Sequence, residues 1–120
     1  MPNQVFLGED GFIHNIVQGD QDATAAQYIH DQTVKLASQL SVSNRPIKIL
    51  SDLTDIGKVD SNARRIASNI IQETEVNKVA IFGGNRLMRH MVNLVIKATG
   101  KTDRVRYFDA FDQAISWLKS

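Results

Sequence analysis

Four times along this chain a short run with strand spacing gives way to a longer run with helical spacing, and a turn signal stands at each switch. Residues 12–18, 47–53, 78–82 and 104–108 are short apolar or alternating runs bounded by Gly, Pro, Asn or Asp. Residues 23–40, 62–75, 86–99 and 111–118 repeat apolar side chains at helical intervals. A chain that alternates in this way builds a mostly parallel sheet through right-handed crossovers, the hand that packs a helix back onto its own sheet. A further strand at 4–7, joined to the next by "GEDG", adds an antiparallel hairpin. The predicted order is ββαβαβαβα, an α/β fold with a five-stranded sheet.

Strand composition places the helices. Strands covered on both faces are apolar almost throughout. Here Lys48 alternates with Ile47 and Ile49, and Arg104 and Arg106 alternate with Val105 and Tyr107. One sheet face is therefore expected to be partly exposed, with helices mainly on the other and strands stacked in chain order. Asp22, Asp60 or Ser61, and Asn85 are predicted N-caps, while Pro46 and Gly100 end the helices before them. The inward faces read as Ala26, Ile29, Thr33, Leu36, Ala37 and Leu40; then Ala63, Ile66, Ala67, Ile70 and Ile71; then Leu87, Met88, Met91, Leu94, Val95 and Ala98. In the closing helix Phe111, Ala114 and Leu118 are expected to be buried, with Trp117 mostly buried beside them.

Composition narrows the function classes. At 120 residues the chain reads as one domain spanning 1–120. Fourteen basic side chains against 13 acidic ones give a net charge of +1, which argues against a broad basic face for nucleic acid. There is no cysteine, so disulfide and thiol chemistry are excluded and a reducing compartment fits. The start resembles no signal peptide and no window reads as a transmembrane segment, so a cytoplasmic location is expected.

Loops after parallel strands share one sheet edge, where open α/β folds place ligands. Asp52, Thr54, Asp55, Asp60 and Ser61, then Gly83, Gly84, Asn85 and Arg86, then Asp109 are expected to converge there. "GGN" at 83–85 reads as a tight strand-to-helix turn capped by Asn85, with positive φ at Gly83 or Gly84. Its second reading is an anion site at a helix N-terminus, with Arg86 and Arg89 adding charge. It matches neither common phosphate-loop fingerprint. Ser61 reads as a capping hydroxyl or as a phosphorylation candidate with Arg64 one turn away. Asp52, Asp55 and Asp60 read as solvated carboxylates, and the three histidines lack helical metal spacing. No catalytic constellation, metal site or cofactor motif is identifiable. Arg86, Arg89, His90, Asn93 and Lys97 form an outer stripe that Arg64, Arg65, Ser68 and Asn69 extend into a polar, basic surface.

The segment "ILSDLTDIGKVDSNARRIASNII" resembles the centre of a STAS domain, the fold of anti-sigma-factor antagonists. Asp60-Ser61 stands where that family carries Asp-Ser at the start of a helix, although Asn62 and Ala63 replace the second hydroxyl residue and the glycine. "VAIFGGN", the basic helix after it and "RVRYFDAFDQAISWL" resemble the narrower SpoIIAA-like (STAS/lipid-transfer-like) bacterial domains. The resemblance implies a non-catalytic regulatory or protein-interaction domain. Its protein partner, of the kinase-like regulator type, would dock on the Ser61 loop and helices 62–75 and 86–99. The alternative is a small-molecule or lipid-binding module with an anion site at the Gly83–Arg86 turn. The first reading expects a filled core, and the second an apolar cavity of about 300 Å³ or more.

Overall fold

Five strands lie side by side in chain order, β1-β2-β3-β4-β5. The computed structural model describes residues 2–120. The elements are β1 (Gln4–Leu7), β2 (Ile13–Gln21), α1 (Ala23–Val42), β3 (Lys48–Val59), α2 (Ser61–Glu73), β4 (Lys78–Phe82), α3 (Arg86–Thr99), β5 (Val105–Phe108) and α4 (Phe111–Lys119). Only β1 and β2 pair antiparallel; the other three pairs are parallel. No helix among the described residues is long and apolar enough to cross a membrane.

The alternation of β-strand side chains divides the core. Ile13, Val17, Ile49, Leu53, Val79 and Val105 point to the face that carries α1, α2 and α3. Phe12, Leu50, Ala80 and Phe82 point to the other face, where Ala114 and Leu118 of α4 cover them. Three helices on one side and one on the other is the expected arrangement. The charged strand positions have a use that alternation alone did not reveal. Lys48 donates to the carbonyl of Leu118, and Lys78 donates to the carbonyls of Trp117 and Ser120, each at 2.9 Å. Sheet lysines thus add donors to the last carbonyls of α4, where intrahelical partners run out and only the Trp117 carbonyl also accepts from Ser120 N. Half-buried Trp117 lies under Lys78 and Arg106, 5.1 and 5.3 Å from its ring centre, and beside Phe108.

Three expectations need correction. The strand expected to stop at 53 runs to Val59, because β2 also extends and supplies partners through Gln21↔Val59. Phe111 is 49% exposed rather than buried. It opens α4 beyond the sheet edge and meets only the rim of Phe82, at 5.6 Å between ring centres. The inward face of α3 is rotated: Met88 and Ile96 are buried, whereas Leu87 and Leu94 are 73% and 54% exposed and Ala98 is exposed. The helix rests on the sheet through positions 88, 92 and 96, one face of the cylinder, which turns 87 and 94 outward.

Helix α1 is tied to α2 by His30. Its Nε2 meets the Glu73 carboxylate and its Nδ1 meets Asp31 Oδ1 at 2.9 Å. The hydrogen bond to Asp31, then that to Glu73, holds the His30 pKa above its ordinary 6.5, and the same contact holds Asp31 below its ordinary 3.8. A raised folded-state pKa stabilises fully below pH 6.5 and stops doing so as pH rises through the raised value; the Asp31 contribution is present above pH 3.8 and fades on acidification. The melting temperature should therefore fall as pH rises above the ordinary histidine value and through the raised one, and His30→Gln should flatten that fall. Thermal melts of both proteins across this range check it.

Candidate functional site

Helices α2 and α3 do not close fully over the sheet. A cavity of about 160 Å³ lies between them and β2–β4. Its floor is Val17, Ile49, Leu53, Val79 and Ile81, and its helix walls include Ile70, Met88, Met91 and Val95. Ala67, expected to face inward, is exposed at the solvent side of α2 yet still lines the opening. Arg64 of α2 reaches across to α3, its Nη1 3.7 Å from Met91 Sδ. Three polar side chains, Asn15, Gln21 and Ser51, stand among the apolar ones on the sheet wall. The core is therefore not filled, and the cavity is about half the volume expected of a full ligand pocket.

The opening sits in a basic, apolar surface. From Ser61 to Gln72 and from Arg86 to Thr99 there is no acidic side chain. Arg64, Arg65, Arg86, His90 and Lys97 are all exposed around the exposed Leu87 and Leu94. Arg89 is engaged elsewhere: it donates to Asp109 Oδ1 at 2.6 Å, with its guanidinium 5.5 Å from the Tyr107 ring centre.

The "GGN" turn is built as a structural reversal. Gly83 and Gly84 have φ of 91° and 82°, and Asn85 Oδ1 accepts from Met88 N at 2.8 Å. The turn packs against β3 so closely that a Cβ on Gly83 would lie 2.6 Å from Thr54 N. The Tyr107 hydroxyl donates to the Gly83 carbonyl, and burial pushes the Tyr107 pKa up. Gly83, Gly84, Asn85, Arg86, Arg89, Tyr107 and Asp109 together edge a shallow groove at the start of α3.

The loops expected to converge form two groups. Thr54, Gly83 and Asp109 gather at this groove, and Asp52 Oδ1 accepts from Thr54 N at 2.9 Å beside it. Asp60 and Ser61 lie elsewhere, because β3 continues past Asp52 and its partner Phe82. The six residue-to-residue steps from Thr54 to Asp60 amount to roughly 20 Å of extended chain. There Asp60 N donates to the Gln21 carbonyl at 3.1 Å, and Asp60 Oδ1 caps Ala63 N at 2.8 Å. Asp55 is exposed on the strand between the groups, paired with Gln18. Ser61 is exposed as the first residue of α2. The cavity itself escaped sequence reading: its lining residues read mostly as ordinary core, with the polar Asn15 within "FIHNIVQ" and Ser51 within "IKILSDL" interrupting inward strand faces.

The sequence profile of the SpoIIAA-like family matches residues 14–119, and the chain belongs to that family. An uncharacterised protein of Shewanella loihica PV-4 with a SpoIIAA-like fold superposes with a TM-score of 0.67 at 19% identity, over 97% of this chain and 91% of that one. The anti-sigma factor antagonist SpoIIAA in its unphosphorylated form gives 0.69 at 13% identity, over 98% of each chain. Both likenesses are of fold. No curated protein matches the sequence.

The turn geometry yields a graded expectation for glycine replacement. Gly83→Ala should cost about 2 kcal/mol or more, since it adds a backbone clash to a left-handed φ. Gly100→Ala, at φ 72° with open space around it, should cost about 1 kcal/mol. Urea unfolding of the two variants checks the order.

Proposed function

We propose that this SpoIIAA-like chain is a non-catalytic binding domain that takes a small apolar group between α2 and α3. The observation that supports the reading is the apolar cavity with its mouth beside Arg64, Ala67 and Met91. A void of about 150 Å³ lined by Leu, Ile and Phe is enough for a benzene ring. A ligand of this domain is therefore ring-sized, or inserts only the end of a longer chain. Methionines at 88 and 91 suit such a wall, because the unbranched thioether side chain repacks at low cost. The basic residues around the mouth favour a ligand whose outer part is anionic.

A second reading rests on a separate observation, the exposure of Leu87 and Leu94 on α3. Apolar side chains ringed by basic ones suit a protein partner with an acidic, apolar face. Partner docking through Ser61, Arg64 and α3 is the mode that the likeness to an anti-sigma factor antagonist favours. In this reading phosphorylation of Ser61 would place negative charge at the N-terminus of α2, one turn from Arg64.

Toluene titrated into the labelled protein should give saturable amide shifts at residues 51–53, 70–71 and 88–92. Ala67→Trp, which plugs the mouth from an exposed position, should weaken binding by about tenfold with an unchanged melting temperature. Shifts that never saturate, or that Ala67→Trp leaves untouched, would remove the ligand reading. Leu87→Lys with Leu94→Lys should leave toluene binding intact while abolishing capture of a protein partner.

A further inference from the structure

We infer that the cavity selects ligands bearing a hydrogen-bonding oxygen, and that Asn15 and Ser51 receive it. The inference rests on the ligand reading above and names the chemistry of the ligand. Asn15 on β2 and Ser51 on β3 are register partners, so their side chains stand next to each other on the same sheet face. Both line the cavity. Asn15 is only 4% exposed, yet its position belongs to a run of apolar neighbours, Ile13 and Val17 on its own strand and Ile49 and Leu53 on the next.

The hydrogen-bond inventory of the pair is incomplete in a specific way. The Asn15 carbonyl oxygen accepts from the Thr33 hydroxyl at 3.3 Å, and Thr33 is wholly buried in α1. In this orientation the NH₂ group is the free end of the amide. Among the described residues neither this NH₂ nor the Ser51 hydroxyl makes a hydrogen bond, whereas Gln21, the other amide at the cavity, is bonded to Gln18 and Gly19 carbonyls. A purely apolar occupant would strip water from both groups and return nothing, which is costly for buried donors. An occupant with a hydroxyl or carbonyl oxygen facing the sheet accepts from the Asn15 amide and exchanges a hydrogen bond with Ser51. Its apolar body then fills the space under Ile70, Met88 and Val95. A mostly apolar pocket with two convergent polar groups free to bond fixes a ligand's orientation and discriminates against the analogue lacking the oxygen.

Phenol and toluene are near-isosteric probes that differ in that oxygen alone. Their dissociation constants are measured by amide-shift titration on the wild type, Ser51→Ala and Asn15→Leu, each checked for native spectral dispersion. The preference for phenol relative to toluene should fall by about tenfold or more in each variant, with toluene binding equal or tighter. If Asn15→Leu does not fold, Ser51→Ala alone carries the comparison. Binding of both probes with an unchanged ratio in the variants would overturn this inference and leave the apolar-ligand reading standing. Failure of both probes to reach the cavity would overturn that reading as well.

Discussion

The structure depends on a mismatch in strand length. β3 has twelve residues and β4 has five, so the two pair only from Lys48↔Lys78 to Asp52↔Phe82. Beyond that level the sheet narrows to the β2–β3 ribbon, whose Val59 packs against Ala63 and Ile66 at the start of α2. Leu53, Ile56 and Val59 on the ribbon and Met88, Met91 and Val92 on α3 border the space that remains. The cavity is thus a product of topology, with side-chain size setting only its final volume.

The opposite sheet face solves a different problem with the same alternation. Residues 48 and 78 are register partners at the start of β3 and β4, and both are lysine. Two like charges side by side would repel in the absence of acceptors. The carbonyls at the end of α4 supply acceptors and the negative end of a helix dipole. α4 is therefore held by charge at one end and by Ala114 and Leu118 in its middle, while its first residue, Phe111, is left half in solvent.

Much of this was legible in the sequence because it is encoded locally. Element order, the caps Asp22, Asp60 and Asn85, the left-handed stop at Gly100 and a positive φ at one glycine of "GGN" follow from residue types at turn signals, while the second positive φ was not expected. What was not legible depends on partners. Thr54, Asp55 and Gly57 read as loop residues, and only the extension of β2 makes them a strand. Leu87 and Leu94 read as core because they are leucine at helical spacing, but spacing does not reveal whether an element lies on that side. Asn15 and Ser51 lie 36 positions apart by number and become neighbours only through the register of a parallel pair.

The two left-handed glycines at 83 and 84 also limit how this surface can vary. Added side chains meet the backbone of Thr54 at the first and Met88 at the second, so the turn exposes peptide groups and nothing else. Diversification by point substitution is closed at the turn itself. Any divergence in the chemistry of this groove must be written into its frame, at Arg86, Arg89, Tyr107 and Asp109, where side chains surround a backbone that stays fixed.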